Sequence, residues 1–243
     1  MDRRFAERRR EVGETTARSG LARSLGILAV LAFVAAVVWL FQSPLLSVRD
    51  VRFEGIGRSA AVDLASSAGA IEGRPMILVD MGDVVAAIVT DPWVAEVGVE
   101  RRWPDVLVIK VTERVPVAWV LADGAWNLVS PDGAILRSGP LPDSDGRPVI
   151  NGGAGLSDAV VLAAVRFAEA LRADLAVGAV IAVADGQISA LVGDYEVRVG
   201  GPEDVDLKAR ALAAVLDTDP EPGSTITVVA PTRPAVAPPT SQP

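Results

Sequence analysis

Apolar positions along this chain change their spacing several times, and the changes mark out its parts. The first part has no polar face: Leu25–Phe41 (LGILAVLAFVAAVVWLF) carries no charge, and the uncharged stretch extends from Ser24 to Val48. As a helix rising about 1.5 Å per residue, Leu25–Phe41 covers roughly 26 Å and the longer stretch about 37 Å. The hydrocarbon core of a bilayer is about 30 Å thick, so a membrane-spanning helix is expected. Trp39 and Phe41 stand at its far end, where an amphipathic ring suits the membrane–water interface. Seven arginines precede it (Arg3, Arg4, Arg8, Arg9, Arg10, Arg18 and Arg23), which predicts a cytoplasmic N-terminus and an extracytoplasmic remainder. A cleaved signal peptide would want a shorter apolar core and an A-x-A-like exit; FQSPLLSV offers neither, so the segment reads as an uncleaved anchor. Residues 1–24 have no apolar period and read as a disordered tail.

Beyond the anchor the period alternates between two and 3.6. Val48–Glu54 (VRDVRFE) alternates apolar and charged positions as a half-buried strand does. Gly55-Ile56-Gly57 follows as a turn, and Ser59 is placed to cap a helix over Ala60–Ala68 that Gly69 ends. Met76–Asp80 is a short apolar segment. Val84, Val85, Ile88 and Val89 then make one face of a helix over Met81–Thr90, stopped by Asp91-Pro92. Trp93–Arg101 and Val106–Glu113 read as strands joined through Trp103-Pro104-Asp105. The order is strand, helix, helix, strand, strand.

Pro116 opens a second region in which strands dominate: Val117–Leu121, Trp126–Val129, Ala134–Leu136, then Val177–Val183, Gln187–Val192 and Tyr195–Val199. Residues 138–155 read as a Gly/Pro loop, followed by a helix from Ser157 or Asp158 to about Leu171. A second helix opens at Pro202-Glu203-Asp204, whose acids suit the positive end of its dipole, and runs to about Leu216. Thr225–Val229 (TITVV) is a final β-branched strand, and 231–243, with its prolines, reads as a disordered tail. The expected fold class is α+β.

Charge divides along the same lines. Residues 1–24 hold seven arginines against four acids, +3; the remaining 16 basic and 27 acidic residues give −11 of the overall −8. An acidic outer region is a poor match for nucleic acid. The chain has no Cys, so no disulfide holds it, and no His, which removes Ser-His-Asp and Cys-His catalysis and most zinc sites.

Three local patterns mimic chemistry. Gly55-Ile56-Gly57-Arg58-Ser59-Ala60 with Asp80 downstream looks like a dinucleotide fingerprint, but Arg52 and Glu54 interrupt a strand that should be apolar on both faces. Asp143-Ser144-Asp145-Gly146 looks like part of a calcium loop, yet Leu141 and Gly152 occupy positions that need acids. Glu100, Asp105 and Glu113 are the acids a carboxylate hydrolase would use, but they alternate with Arg101, Arg102 and Arg114 as ion-paired surfaces do. No metal, cofactor or small-molecule substrate is expected. Thr225–Val229 admits two readings: an open edge that accepts another chain's strand, or an internal strand paired on both sides.

DPWVAEVGVERRWPDVLVIKVTERVPVAWV, with Pro92-Trp93-Val94 and the run Arg101 through Ala118, resembles the POTRA domain of the FtsQ/DivIB cell-division family. VRVGGPEDVDLKARALAAVL, with Lys208, is similar to that family's strand–Gly–helix segment, and TITVVAPTRPAV falls where the family places its last strand. The resemblance covers about residues 25–236. It implies a cytoplasmic tail (1–24), a transmembrane helix (25–41), a POTRA domain (46–115), a β domain (116–230) of mixed, mainly antiparallel strands with two helices, and a tail (231–243). It further implies a non-enzymatic divisome scaffold at the division septum. That scaffold would recruit FtsB/DivIC-like and FtsL-like coiled-coil membrane proteins, beside other divisome components. Carried onto this chain, the partner-binding residues are Thr225, Ile226, Thr227, Val228, Val229 and Ala230. The rival classes are an anchored carboxylate-based cell-wall hydrolase and a POTRA-type chaperone for exported chains.

Overall fold

A computed structural model describes residues 25–40, 46–55, 71–122, 124–141, 145–153 and 155–239. The expected tail at 1–24, the helix at 60–68 and the end of the anchor at Phe41 lie outside those residues. Residues 25–40 are helical, and Leu28, Leu31, Phe33 and Trp39 on that helix are exposed. Among the described residues no helix is long and apolar enough to cross a membrane. The rest divides into two compact units: one formed by the chain up to Thr90 with Glu96–Thr112, the other by Asp91–Ala95 with Glu113–Pro243.

In the first unit β1 (Asp50–Glu54), β2 (Val94–Arg102) and β3 (Val106–Glu113) form a sheet in the order β1-β3-β2. β1 runs parallel to β3, with Val51 opposite Leu107 and Phe53 opposite Ile109. Val48 falls just before β1: its amide donates to Arg74 O and its carbonyl accepts from Gly73 N, and its side chain is buried. Helix α1 (Met81–Val89) starts where Asp80 accepts a bond from Gly82 N at 2.7 Å, and it buries Val84 and Ile88. Asp80 is therefore a helix cap, which accounts for the acid of the dinucleotide-like pattern. Gly55 has φ +87°, and a Cβ there would lie 2.3 Å from Val111 O, so only glycine fits.

The second unit is built on one nine-stranded sheet in the order β12-β11-β10-β9-β8-β7-β4-β5-β6. Its strands are β4 (Ala118–Ala122), β5 (Ala125–Val129), β6 (Ile135–Gly139), β7 (Val149–Gly152), β8 (Val180–Ala184), β9 (Gln187–Val192), β10 (Tyr195–Gly200), β11 (Thr225–Thr227) and β12 (Ala235–Ala237). Pairing is antiparallel except for β4–β7, β7–β8 and β10–β11. Helices α2 (Ala159–Ala170) and α4 (Val205–Leu216), with the short α3 (Ala173–Ala176) between them, complete the unit.

One face of this sheet is its core. Val120, Ile150, Ile181, Ala190, Val197 and Ile226 stand in register as successive neighbours across six strands, and every one is buried. Phe167 and Val161 of α2 and Leu212 and Ala209 of α4 pack in the same cluster. Asp158 caps α2 by accepting from Val160 N. Removing an aliphatic side chain of this size from water stabilises by about 1.5–3 kcal/mol each.

The structure departs from three sequence expectations. The loop expected over 138–155 contains β7, the strand that joins β4 to β8. Val149 and Ile150 lie between Pro148 and Gly152, a run too short to show a period. A third, one-turn helix stands at Ala173–Ala176. The tail expected to be disordered forms β12, whose residues align Thr225↔Ala237, Ile226↔Val236 and Thr227↔Ala235 with β11.

Candidate functional site

Two of the acids of the hydrolase reading, Glu100 and Asp105, are engaged by cations. Glu100 accepts from Lys110 Nζ at 3.0 Å and lies 3.6 Å from Arg102, while Asp105 stands 4.0 Å from Arg49. The Lys110 hydrogen bond and charge, followed by Arg102, hold the Glu100 carboxyl below its ordinary value. A general acid needs the opposite shift. Asp145, the described acid of the calcium-like stretch, accepts from Trp119 Nε1 and pairs with Arg147. Among the described residues no group of three or more acids could hold a metal ion.

Two side chains named in the sequence, Arg114 and Lys208, prove to be backbone anchors, a role no pattern in the sequence assigned them. Arg114 Nη1 donates to Pro92 O at 2.9 Å and Val94 O at 2.6 Å, while its Nε donates to Asp132 at 2.9 Å. This planar fork holds the Asp91–Ala95 segment to the start of the second unit's own chain. Asp132 also accepts from the Ser130 hydroxyl, and that bond is the largest cause of its lowered pKa, with Arg114 adding to it. Lys208 on α4 is buried and its Nζ donates to Gly201 O at 2.8 Å, fastening the helix to the turn after β10.

The strand proposed for partner binding is paired on both sides. β11 lies between β10 and β12, so the open-edge reading of Thr225–Val229 is corrected: the edge belongs to β12. The strand is also shorter than expected. Thr225 and Thr227 are half-buried, Ile226 and Val228 buried, and Val229 and Ala230 exposed. Ala230 O accepts from Arg233 N in the turn that sends the chain back. Nothing in the pattern of Ala235-Val236-Ala237 between prolines announces a strand; only its partner's register makes it one.

Backbone bonding fixes which groups face outward. Val228 N donates to Arg198 O at 2.9 Å, beside the parallel register Val197↔Ile226 and Arg198↔Thr227. In a parallel pair, one residue addresses the two that flank its partner, so Ile226 and Val228 turn to β10 and Thr225 and Thr227 to β12. Thr225 with Ala237, and Thr227 with Ala235, are therefore the hydrogen-bonded pairs of the antiparallel ladder. Val236 is opposed to Ile226 in a non-bonded pair. Its N–H and C=O point away from β11, out of the sheet. Its side chain shares the core face with Ile226 and is 46% exposed.

A three-stranded unit in this order, leading to a long mixed sheet, marks a POTRA-domain protein: the model of the POTRA domain, FtsQ-type, matches residues 46–114. The chain is 30% identical over 250 residues to the cell division protein FtsQ of Mycobacterium tuberculosis (strain ATCC 25618 / H37Rv), an alignment covering 96% of this chain and 78% of that relative. It is 31% identical over 219 residues to FtsQ of Mycolicibacterium smegmatis, covering 86% of this chain and 62% of the relative's length. The solved extracytoplasmic domain of the trans isomer of DivIB from Geobacillus stearothermophilus is 18% identical. That comparison covers 45% of this chain and 99% of the other, with a TM-score of 0.33, too low to define a common fold. This chain belongs to the FtsQ family of cell-division proteins.

Proposed function

We propose that this protein is a non-enzymatic, membrane-anchored scaffold of the divisome. The apolar stretch Leu25–Phe41 is its single anchor, with the arginines before it on the cytoplasmic side and the two units outside, at the septum. Its work is to recruit FtsB/DivIC-like and FtsL-like coiled-coil membrane proteins by strand addition. The observation that carries this reading is the outward N–H and C=O of Val236 on the terminal strand of the sheet. A partner strand gains main-chain hydrogen bonds there without displacing any existing pair. The expected contact thus moves from Thr225–Ala230 to the neighbouring strand Ala235–Ala237, with Val229 and Ala230 beside it.

The test uses full chain carrying Val236→Pro, solubilised from native membranes. Proline removes the outward donor and leaves the β11 ladder intact. Loss of a small coiled-coil partner from the pull-down, with unchanged thermal melting, is the expected result; full retention of the partner in the folded variant overturns the reading. Depletion of the protein is expected to arrest septation.

A further inference from the structure

The chain's own prolines decide what the β12 edge can accept. Residues of the same parity as Val236 face outward, and both of the nearest, at positions 234 and 238, are proline. The strand direction continues past Ala237, since a Cβ on Gly223 would lie 3.4 Å from Pro239 Cβ, as the register 225↔237 requires. The outward row therefore reads acceptor, donor plus acceptor, acceptor: Pro234 C=O, Val236 N–H and C=O, Pro238 C=O. Among the described residues 234–238 of this row, Val236 supplies the one donor.

A second copy of this chain is the partner most often at hand, and it fits badly. Antiparallel self-pairing about a two-fold axis puts Val236 opposite its own counterpart, which yields two hydrogen bonds. It also sets Pro234 against the other copy's Pro238, twice. Those four positions hold carbonyls facing carbonyls, with no N–H between them and pyrrolidine rings in the gap. A strand with ordinary amides at its flanking positions instead makes the two bonds to Val236 and donates to both proline carbonyls. The residue it places opposite Val236 projects to the Ile226 face, where it covers an exposed valine at the end of a buried apolar row.

We propose that the β12 edge is a one-way acceptor. It takes a single extended strand from a different polypeptide, one that is free of proline at the flanking positions and apolar opposite Val236, and it rejects its own copy. This rests on the strand-addition reading above, and adds the kind of strand and the device that excludes the wrong one. Charge and side-chain contacts beyond Val236 play no part in it.

The experiment has three arms, all on full chain in detergent. In wild type, amide exchange at Val236 should be about fivefold or more faster than at Ala235 and Ala237, the factor a single net hydrogen bond provides. Equal protection of the three amides overturns the proposed geometry. Adding a blocked seven-residue peptide of alternating Thr and Val should slow Val236 exchange; an unchanged rate with peptide in large excess overturns acceptance of a foreign strand. In the double variant Pro234→Ala/Pro238→Ala, four restored amides should raise the dimerisation constant about 100-fold or more by light scattering. A variant as monodisperse as wild type overturns self-rejection. None of these arms reads septation. The edge can therefore fail while the division role stands, and the role can fail while the edge behaves as described.

Discussion

Single side chains hold the second unit at points that apolar periodicity does not reveal. Lys208 is buried with its ammonium on Gly201 O. Truncation to Ala removes the buried stem and leaves that carbonyl unpaired, a loss of about 1–3 kcal/mol in urea unfolding; Lys208→Met keeps the stem and should lose less. Asp132 offers a titration with a definite sign. Its carboxyl is held below its ordinary value of 3.8, first by the Ser130 hydroxyl and then by Arg114. A depressed carboxylate stabilises the fold above its unfolded pKa and loses that contribution as pH falls through the folded value. NMR titration should find Asp132 below 3.8 in wild type and moved upward in Ser130→Ala. Because Asp132 is more than half exposed, the associated stability change is small.

At the level of elements, two proline scans separate the internal strand from the edge strand. Val228→Pro removes the amide that donates to Arg198 O and should cost about 1–3 kcal/mol for the unpaired carbonyl. Val236→Pro, eight residues on, should leave the denaturation midpoint unchanged. Phe167→Ala on α2, at the centre of the core cluster, should cost about 3–5 kcal/mol in the same assay. The contrast also explains what could be read from the chain beforehand. Gln187–Val192 was legible because burial on one face writes a period of two, and Val106–Glu113 was legible as an apolar β-branched run although Val108 is buried on its other face as well. The cap at Asp80 was hidden behind its resemblance to a dinucleotide-site acid, whereas the helix start at Asp158 was legible because the backbone amide that needs it lies two residues away. β7 and β12 were not, since each has three or four residues beside proline or glycine and is ordered only by strands far away in sequence. The candidate site shared that fate. Whether Thr225–Thr227 is an edge depends on where Ala235–Ala237 goes, and no local pattern carries that information.

For the whole molecule, charge and architecture point the same way. The chain's net charge is −8 with a pI near 4.7, and seven of its 23 basic residues precede the apolar stretch. Solubility in detergent should pass through a minimum near pH 4.7, measurable by turbidity, and recover on either side. The nine-stranded sheet ends at β6 on one side and β12 on the other, and its core row runs uninterrupted from Val120 to Ile226. A single outward donor on the last strand is a small handle for a lasting attachment. Two to four main-chain bonds cannot hold a dilute partner against the entropy of association. On the anchored-scaffold reading proposed above, tethering both proteins to one bilayer would raise their effective concentration toward the millimolar range, where so modest a grip suffices. Val236 would then act as a latch that closes only between neighbours sharing a membrane, and that releases when either is cut from its tether.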